Sequence, residues 1–319
     1  HKAMRKRQHE AAEFIEMQGH NQALRNEERY RQLASDPVIR YIVLDAQANV
    51  LCPATKLWNT GHGSVMMREA VSLMGGYGIT EDCPGFLGYK WMDSQLEATY
   101  EGPEAVQRRQ LSVTMTNEVF LAQFRNWIHE MRQIASVEPG TGACTLASAM
   151  HLWLWTLEHL QHARDAQGQK LYQASRHGVT FPMADALCWL LASRCQILDV
   201  EHLRREGPGR IQQGFEGTVQ FLTDLCHVQA ARAAGEVARI CSEIVYGYLR
   251  HPSWDDSPQC STCFAELELR QIESVVPGAS GFTGDIYRED GSHDTKAGPC
   301  VRAPGLNDFA RLRAKLDGC

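Results

Sequence analysis

Apolar residues recur at helical spacing along most of the chain. Val38, Ile39, Ile42, Val43, Ala46 and Val50 form one stripe. It opens at Asp36-Pro37, an aspartate able to cap a helix followed by a proline suited to its first turn. Pro53 is expected to kink or end that helix. Val65, Met66, Ala70, Val71, Leu73 and Met74 form the next stripe. Its end is predicted near Met74, because Gly75, Gly76 and Gly78 follow and Thr60-Gly61-His62-Gly63 already interrupts its start. A third stripe (Val106, Leu111, Val113, Phe120, Phe124, Ile128, Met131) predicts one long helix over Pro103–Ile134. Ahead of these, Met4–Leu33 is charged and only loosely periodic, which suggests helix with a break near Gly19.

Val137-Glu138-Pro139-Gly140-Thr141-Gly142 reads as a boundary. Beyond it, Leu146–Ala163, Ala184–Val200 and Phe215–Leu249 keep helical periodicity and suggest an appended bundle. Pro252–Cys319 is rich in Gly, Pro, Ser and Asp, with short helices expected at Ala265–Ile272 and Leu306–Leu316 and loop elsewhere. The expected fold class is all-α, in three parts: residues 1–136, 137–250 and 251–319.

Composition narrows the functional classes. The 319 residues are 44% hydrophobic and 22% charged, ordinary for a globular protein of two domains. Net charge is −6, from 32 basic and 38 acidic residues, so neither nucleic acid nor a membrane surface is an expected partner. No apolar run approaches the roughly 18 residues that span a bilayer. The start, His1-Lys2-Ala3-Met4-Arg5-Lys6-Arg7, is basic with no apolar stretch behind it, so it is not a secretory signal and a cytoplasmic location is expected.

The chemistry concentrates in Leu73–Arg108, which contains L-M-G-G-Y-G-I-T-E-D-C-P and later A-T-Y-E-G-P-E-A-V-Q-R. Bare backbone at Gly75, Gly76 and Gly78 can approach a phosphate or ring closely. Gly102 suits the N-cap and Pro103 the first helical position, where a missing N–H costs nothing. Glu101 then stands just ahead of a helix N-terminus, its carboxylate placed to take a proton. Each feature alone has a structural explanation, since glycines stop helices and glutamates complement helix dipoles. Together they are more specific.

Gly75-Gly76-Tyr77-Gly78-Ile79-Thr80, Pro84, Tyr100-Glu101-Gly102, Gln107 and Arg108 resemble two motifs of the acyl-CoA dehydrogenase family, in its C-terminal helical domain. The resemblance covers roughly residues 36–135. It implies a FAD-dependent oxidoreductase that places a double bond between Cα and Cβ of an acyl-CoA thioester. Glu101 is then the base that removes the α-proton while hydride leaves for the flavin. The same resemblance puts Tyr100, Glu101 and Gly102 at the substrate, and Gly75, Gly76, Tyr77, Gly78, Gly102 and Pro103 at the cofactor. It also implies a homo-oligomer and an electron-transferring flavoprotein as electron acceptor. Because nothing before residue 36 resembles the family's preceding helical and β-domains, the chain is expected to be part of a longer polypeptide or to work with a separate subunit.

The alternative is a non-catalytic helical assembly module of the same descent. Pro103 stands where the family has threonine, Ser72 where it has glutamine, and Met92-Asp93-Ser94 where it has Arg-Asp-Ala. Of the eleven cysteines, those before residue 250 sit in apolar settings and read as small buried hydrophobes. Cys260 and Cys263, with His293 and Cys300, form a loose metal-like spacing, although flexible free thiols are the plainer reading and no metal is assigned. His151, His159 and His162 share one predicted helix and read as packed or solvated.

Overall fold

The computed structural model describes residues 2–19, 26–165, 167–209 and 214–249, with side chains described up to Val245. Among them the architecture is all-α, and an isolated bridge between Arg164 and Lys170 is the extent of β pairing.

Helices α1 (Lys2–Gln18), α2 (Glu27–Ala34) and α3 (Pro37–Leu57) build the first layer of core. Asp36 caps α3 as its sequence implies, accepting from the Val38 N–H at 2.9 Å. That carboxyl is held below the usual range, chiefly by this backbone donor and also by Arg7, which it meets at 2.8 Å. Ile39, Ile42, Val43 and Ala46 face Ala11, Ala12 and Ile15 of α1, Leu33 of α2, and Val119 and Ala122. Each fully buried Ile or Val contributes about 1.5–3 kcal/mol. Asn126 donates to the Ile15 carbonyl at 2.6 Å, and any side chain at Gly19 would strike that asparagine. The expected break at Gly19 therefore has a packing cause.

Two expectations about α3 change. Of the kink or end expected at Pro53, the end does not occur, since Pro53 lies inside the helix. The glycine-containing stretch Thr60–Gly63 does not break the chain's path either: a five-residue π turn (Trp58–His62) joins α3 directly to α4 (Gly63–Leu73). The wider turn absorbs Gly61 and lets Thr60 donate back to the Lys56 carbonyl at 2.9 Å.

The long helix expected over Pro103–Ile134 is two helices, α6 (Glu104–Thr114) and α7 (Glu118–Val137). Asn117 makes the break, its side chain accepting from the Val119 and Phe120 N–H groups. The apolar period runs through unbroken, since Leu111, Met115, Val119 and Phe120 are all fully buried.

The chain divides into two compact units. The first spans His1–His129 and takes in Tyr172–Ala192; the second comprises Glu130–Leu171 and the residues from Ser193 onward. In the second, α8 (Ala143–His162) lies against α10 (Phe215–Leu249). Gly142, at φ 77°, starts α8 where an added Cβ would come within 2.9 Å of Ala230 and 3.0 Å of the His227 backbone. Helix α9 (His177–Glu206) begins seven residues before the expected Ala184 and accommodates Pro182 in its first turns. No helix among the described residues is long and apolar enough to cross a membrane.

Candidate functional site

The glycine turn caps an arm of two helices. Helix α4 stops at Met74 because Gly75 turns left-handed at φ 61°, and a short 3-10 turn (Gly75–Ile79) follows. The three motif glycines have different reasons to be glycine. A Cβ at Gly78 would lie 2.6 Å from the Val71 carbonyl and 2.9 Å from the Met74 Cβ, so this residue is closed by packing. Gly75 answers to its backbone angle. Around Gly76 there is open space, and Tyr77 is exposed. Gly75, Gly76 and Tyr77 can therefore face a ligand, whereas Gly78 is buried. The Tyr77 hydroxyl donates to the Asp82 carbonyl at 2.9 Å, and Thr80 donates to the Tyr77 carbonyl at 2.7 Å, fixing the loop.

The arm's second helix, α5 (Leu87–Glu97), starts where Gly88 meets Ile79 and ends just before the Tyr100-Glu101-Gly102 turn. Its eleven residues make a helix about 16 Å long, with one motif before its start and the other after its end.

Glu101 adopts φ 51° and Gly102 φ 93°, a consecutive left-handed pair. For glutamate that conformation costs of order 1–3 kcal/mol and persists only where its surroundings enforce it. Those surroundings are visible. The Glu104 N–H donates to the Ala98 carbonyl at 3.3 Å, and Gln107 Nε2 donates to the Gly102 carbonyl at 3.0 Å. A Cβ at Gly102 would lie 2.1 Å from that same Nε2, the movable end of its side chain, so the positive φ is what calls for glycine. Lys56 of α3 donates to the Glu97 carbonyl at 2.8 Å and lies 4.8 Å from the Tyr100 ring centroid. The Tyr100 hydroxyl donates to Glu97 at 2.7 Å; this bond first, then desolvation and the Glu97 charge, raise its pKa.

Helix α6 begins one residue later than its sequence suggests. Gly102, turned to positive φ, cannot adopt the extended N-cap geometry, so Pro103 takes that position and Glu104 starts the helix. Pro103 has no N–H, and its carbonyl accepts from Val106 and Gln107, so it offers a ligand no donor. Glu101 itself is exposed, and its carboxylate makes no hydrogen bond or ion pair among the described residues. It is available at the surface, without the dry surroundings that a thioester base requires.

Behind the turn lies a group that sequence reading did not assign. Arg108 of α6 contacts Glu104 at 3.1 Å and Asp185 of α9 at 2.8 Å. Burial pushes the Asp185 carboxyl up, against the pull of Arg108. A Cβ at Gly61 in the π turn would sit 3.0 Å from the Glu104 carboxylate. Trp58 and His62 stack at 4.3 Å, and both meet Trp189 edge-on at 4.9 and 5.2 Å. Gln107 and Arg108 were visible as members of the motif. Asp185 had no local signal, being 77 residues from Arg108.

Cys260, Cys263, His293 and Cys300 lie outside the described residues, as do the helices expected at Ala265–Ile272 and Leu306–Leu316. Among the described residues no group of three or more His, Cys, Asp or Glu is placed to hold a metal ion. His162 Nδ1 lies 2.7 Å from the Glu158 carbonyl, and His159 stacks on Trp155.

Residues 3–115 match the family model described as acyl-CoA dehydrogenase, C-terminal domain. The match begins in α1, well before Asp36, and ends at Met115, the close of α6. No curated protein and no solved structure matched the chain.

Proposed function

From an acyl-CoA dehydrogenase C-terminal domain in residues 3–115, we propose that this chain supplies the base-bearing part of a FAD-dependent acyl-CoA dehydrogenase. The observation that carries this reading is the left-handed Glu101-Gly102 pair, an enforced strain that presents an unpartnered carboxylate ahead of a helix. Such outliers concentrate where a side chain must be aimed.

Glu101 removes the α-proton of the acyl-CoA. The backbone N–H of Glu101 stabilises charge developing on the thioester oxygen, aided by the partial positive end of α6. Bound FAD supplies the hydride acceptor for Cβ. Gly75, Gly76, Tyr77 and Gly102 would be the residues that hold that cofactor. Gly78 supports the turn from beneath, and Pro103 shapes the helix start without donating.

Glu101 is exposed within this chain, and proton abstraction beside a thioester needs water excluded. The covering wall therefore comes from protein outside the described residues: a flavin-covering domain or a further subunit. The arm's exposed Leu73, Ile79, Phe86, Met92 and Leu96 suit a second copy in a homo-oligomer. An electron-transferring flavoprotein is the electron acceptor that the family resemblance implies.

Those exposed side chains equally favour the competing reading, an assembly module without turnover. The two separate in one experiment. The chain is purified with the polypeptide that completes the flavin site, and its absorbance is followed anaerobically against a panel of acyl-CoAs. Bleaching of the flavin is expected, and Glu101→Gln should slow it at least about a hundredfold while the melting temperature is kept. Intact protein with bound flavin that no acyl-CoA bleaches establishes the module instead.

A further inference from the structure

Helix α9 carries a side chain into the neighbourhood of the proposed site, from a segment that the family match does not include. Tyr172–Ala192 belongs to the first compact unit although more than fifty residues separate it from Met115. Four of its residues touch the helices that frame the Glu101 turn. Tyr172 donates to the Ser112 carbonyl of α6. The Cys188 thiol points at the Ala54 carbonyl of α3 at 3.8 Å, and Trp189 meets Trp58 and His62. Asp185 binds Arg108 at 2.8 Å.

That last contact is one link in a chain. Arg108 holds Glu104, the first residue of α6, at 3.1 Å. The Glu104 N–H closes the loop onto Ala98 across Tyr100, Glu101 and Gly102, and Gln107, one residue before Arg108, holds the Gly102 carbonyl. A Cβ at Gly61 would sit 3.0 Å from the Glu104 carboxylate, so the glycine keeps that side clear for it. A left-handed glutamate relaxes when the helix start behind it is free to fray, so whatever fixes Glu104 also fixes the aim of Glu101.

We infer that Asp185 is a positioning residue, setting the Glu101 turn through Arg108 and Glu104, and that Tyr172–Ala192 is an integral part of the site's framework. This rests on the reading of Glu101 as base, but its structural half is measurable without turnover.

In the full chain, Asp185→Asn should speed amide exchange at least about tenfold within residues 98–108, leaving protection in α8 and α10 unchanged. With the flavin site completed, the same variant should lower kcat about tenfold with KM for acyl-CoA held, because geometry at the base is lost and not binding. Asp185→Glu, which keeps the charge, should restore most of both.

Unchanged exchange over residues 98–108 overturns the proposal, and so does a loss of protection spread evenly through the chain. If exchange responds locally while Glu101→Gln leaves turnover untouched, the positioning link stands and the assignment of the base falls.

Discussion

Helix α8 and the α4–α5 arm draw on similar apolar residues and meet opposite surroundings. In α8, Leu146, Met150, Trp153, Leu157 and Leu160 are fully buried. In α4 no residue is buried, and in α5 only Gly88 is. Leu73, the last residue of α4, is 88% exposed. An apolar side chain in α8 contributes through the water it leaves on folding, whereas on the arm most apolar side chains keep that water. The sequence motifs lie at this exposed arm: the glycine turn joins α4 to α5, and the Glu101 turn follows α5. Burial and exposure of apolar side chains are thus divided between different helices.

That contrast can be tested directly, beginning with the core. Trp153→Ala removes a completely buried ring and should cost about 3–5 kcal/mol in denaturant unfolding. A loss below that range would mean that α8 is less tightly filled than its burial indicates. Glu101→Gly should act in the opposite sense. Relief of the positive φ is expected to raise stability by about 0.5–1 kcal/mol while abolishing any turnover, a separation of fold from function at one residue. Destabilisation by this change would show that the turn is not strained. Leu73→Ala, on the arm, should alter unfolding by less than about 0.5 kcal/mol. Sedimentation of the same variant checks whether the arm's exposed face holds copies together.

The legible parts of the fold were those with local causes. Asp36-Pro37 started α3, Met74 ended α4, and Phe215–Leu249 bounded α10, each through a cap, a glycine or an uninterrupted period. The break between α6 and α7 was hidden, because Asn117 interrupts the backbone without disturbing the buried stripe. Pro53 read as a kink or end and Gly61 as an interruption, and both lie in a helical path continued by a π turn. At the site, the Tyr-Glu-Gly motif exposed Glu101 and Gly102 but not the left-handed backbone of the glutamate, which is imposed from Ala98, Gln107 and Glu104. Asp185 was beyond reach for a simpler reason: a pairing across 77 residues leaves no periodic trace.

The π turn at Trp58–His62 carries a geometric consequence of its own. One additional residue in a helical turn advances every later side chain by about 100° around the axis. The azimuth of α4, and with it the heading of the arm and its glycine loop, depends on that single surplus residue. A lineage gaining or losing it would steer the arm toward a new quarter while keeping both flanking helices letter for letter.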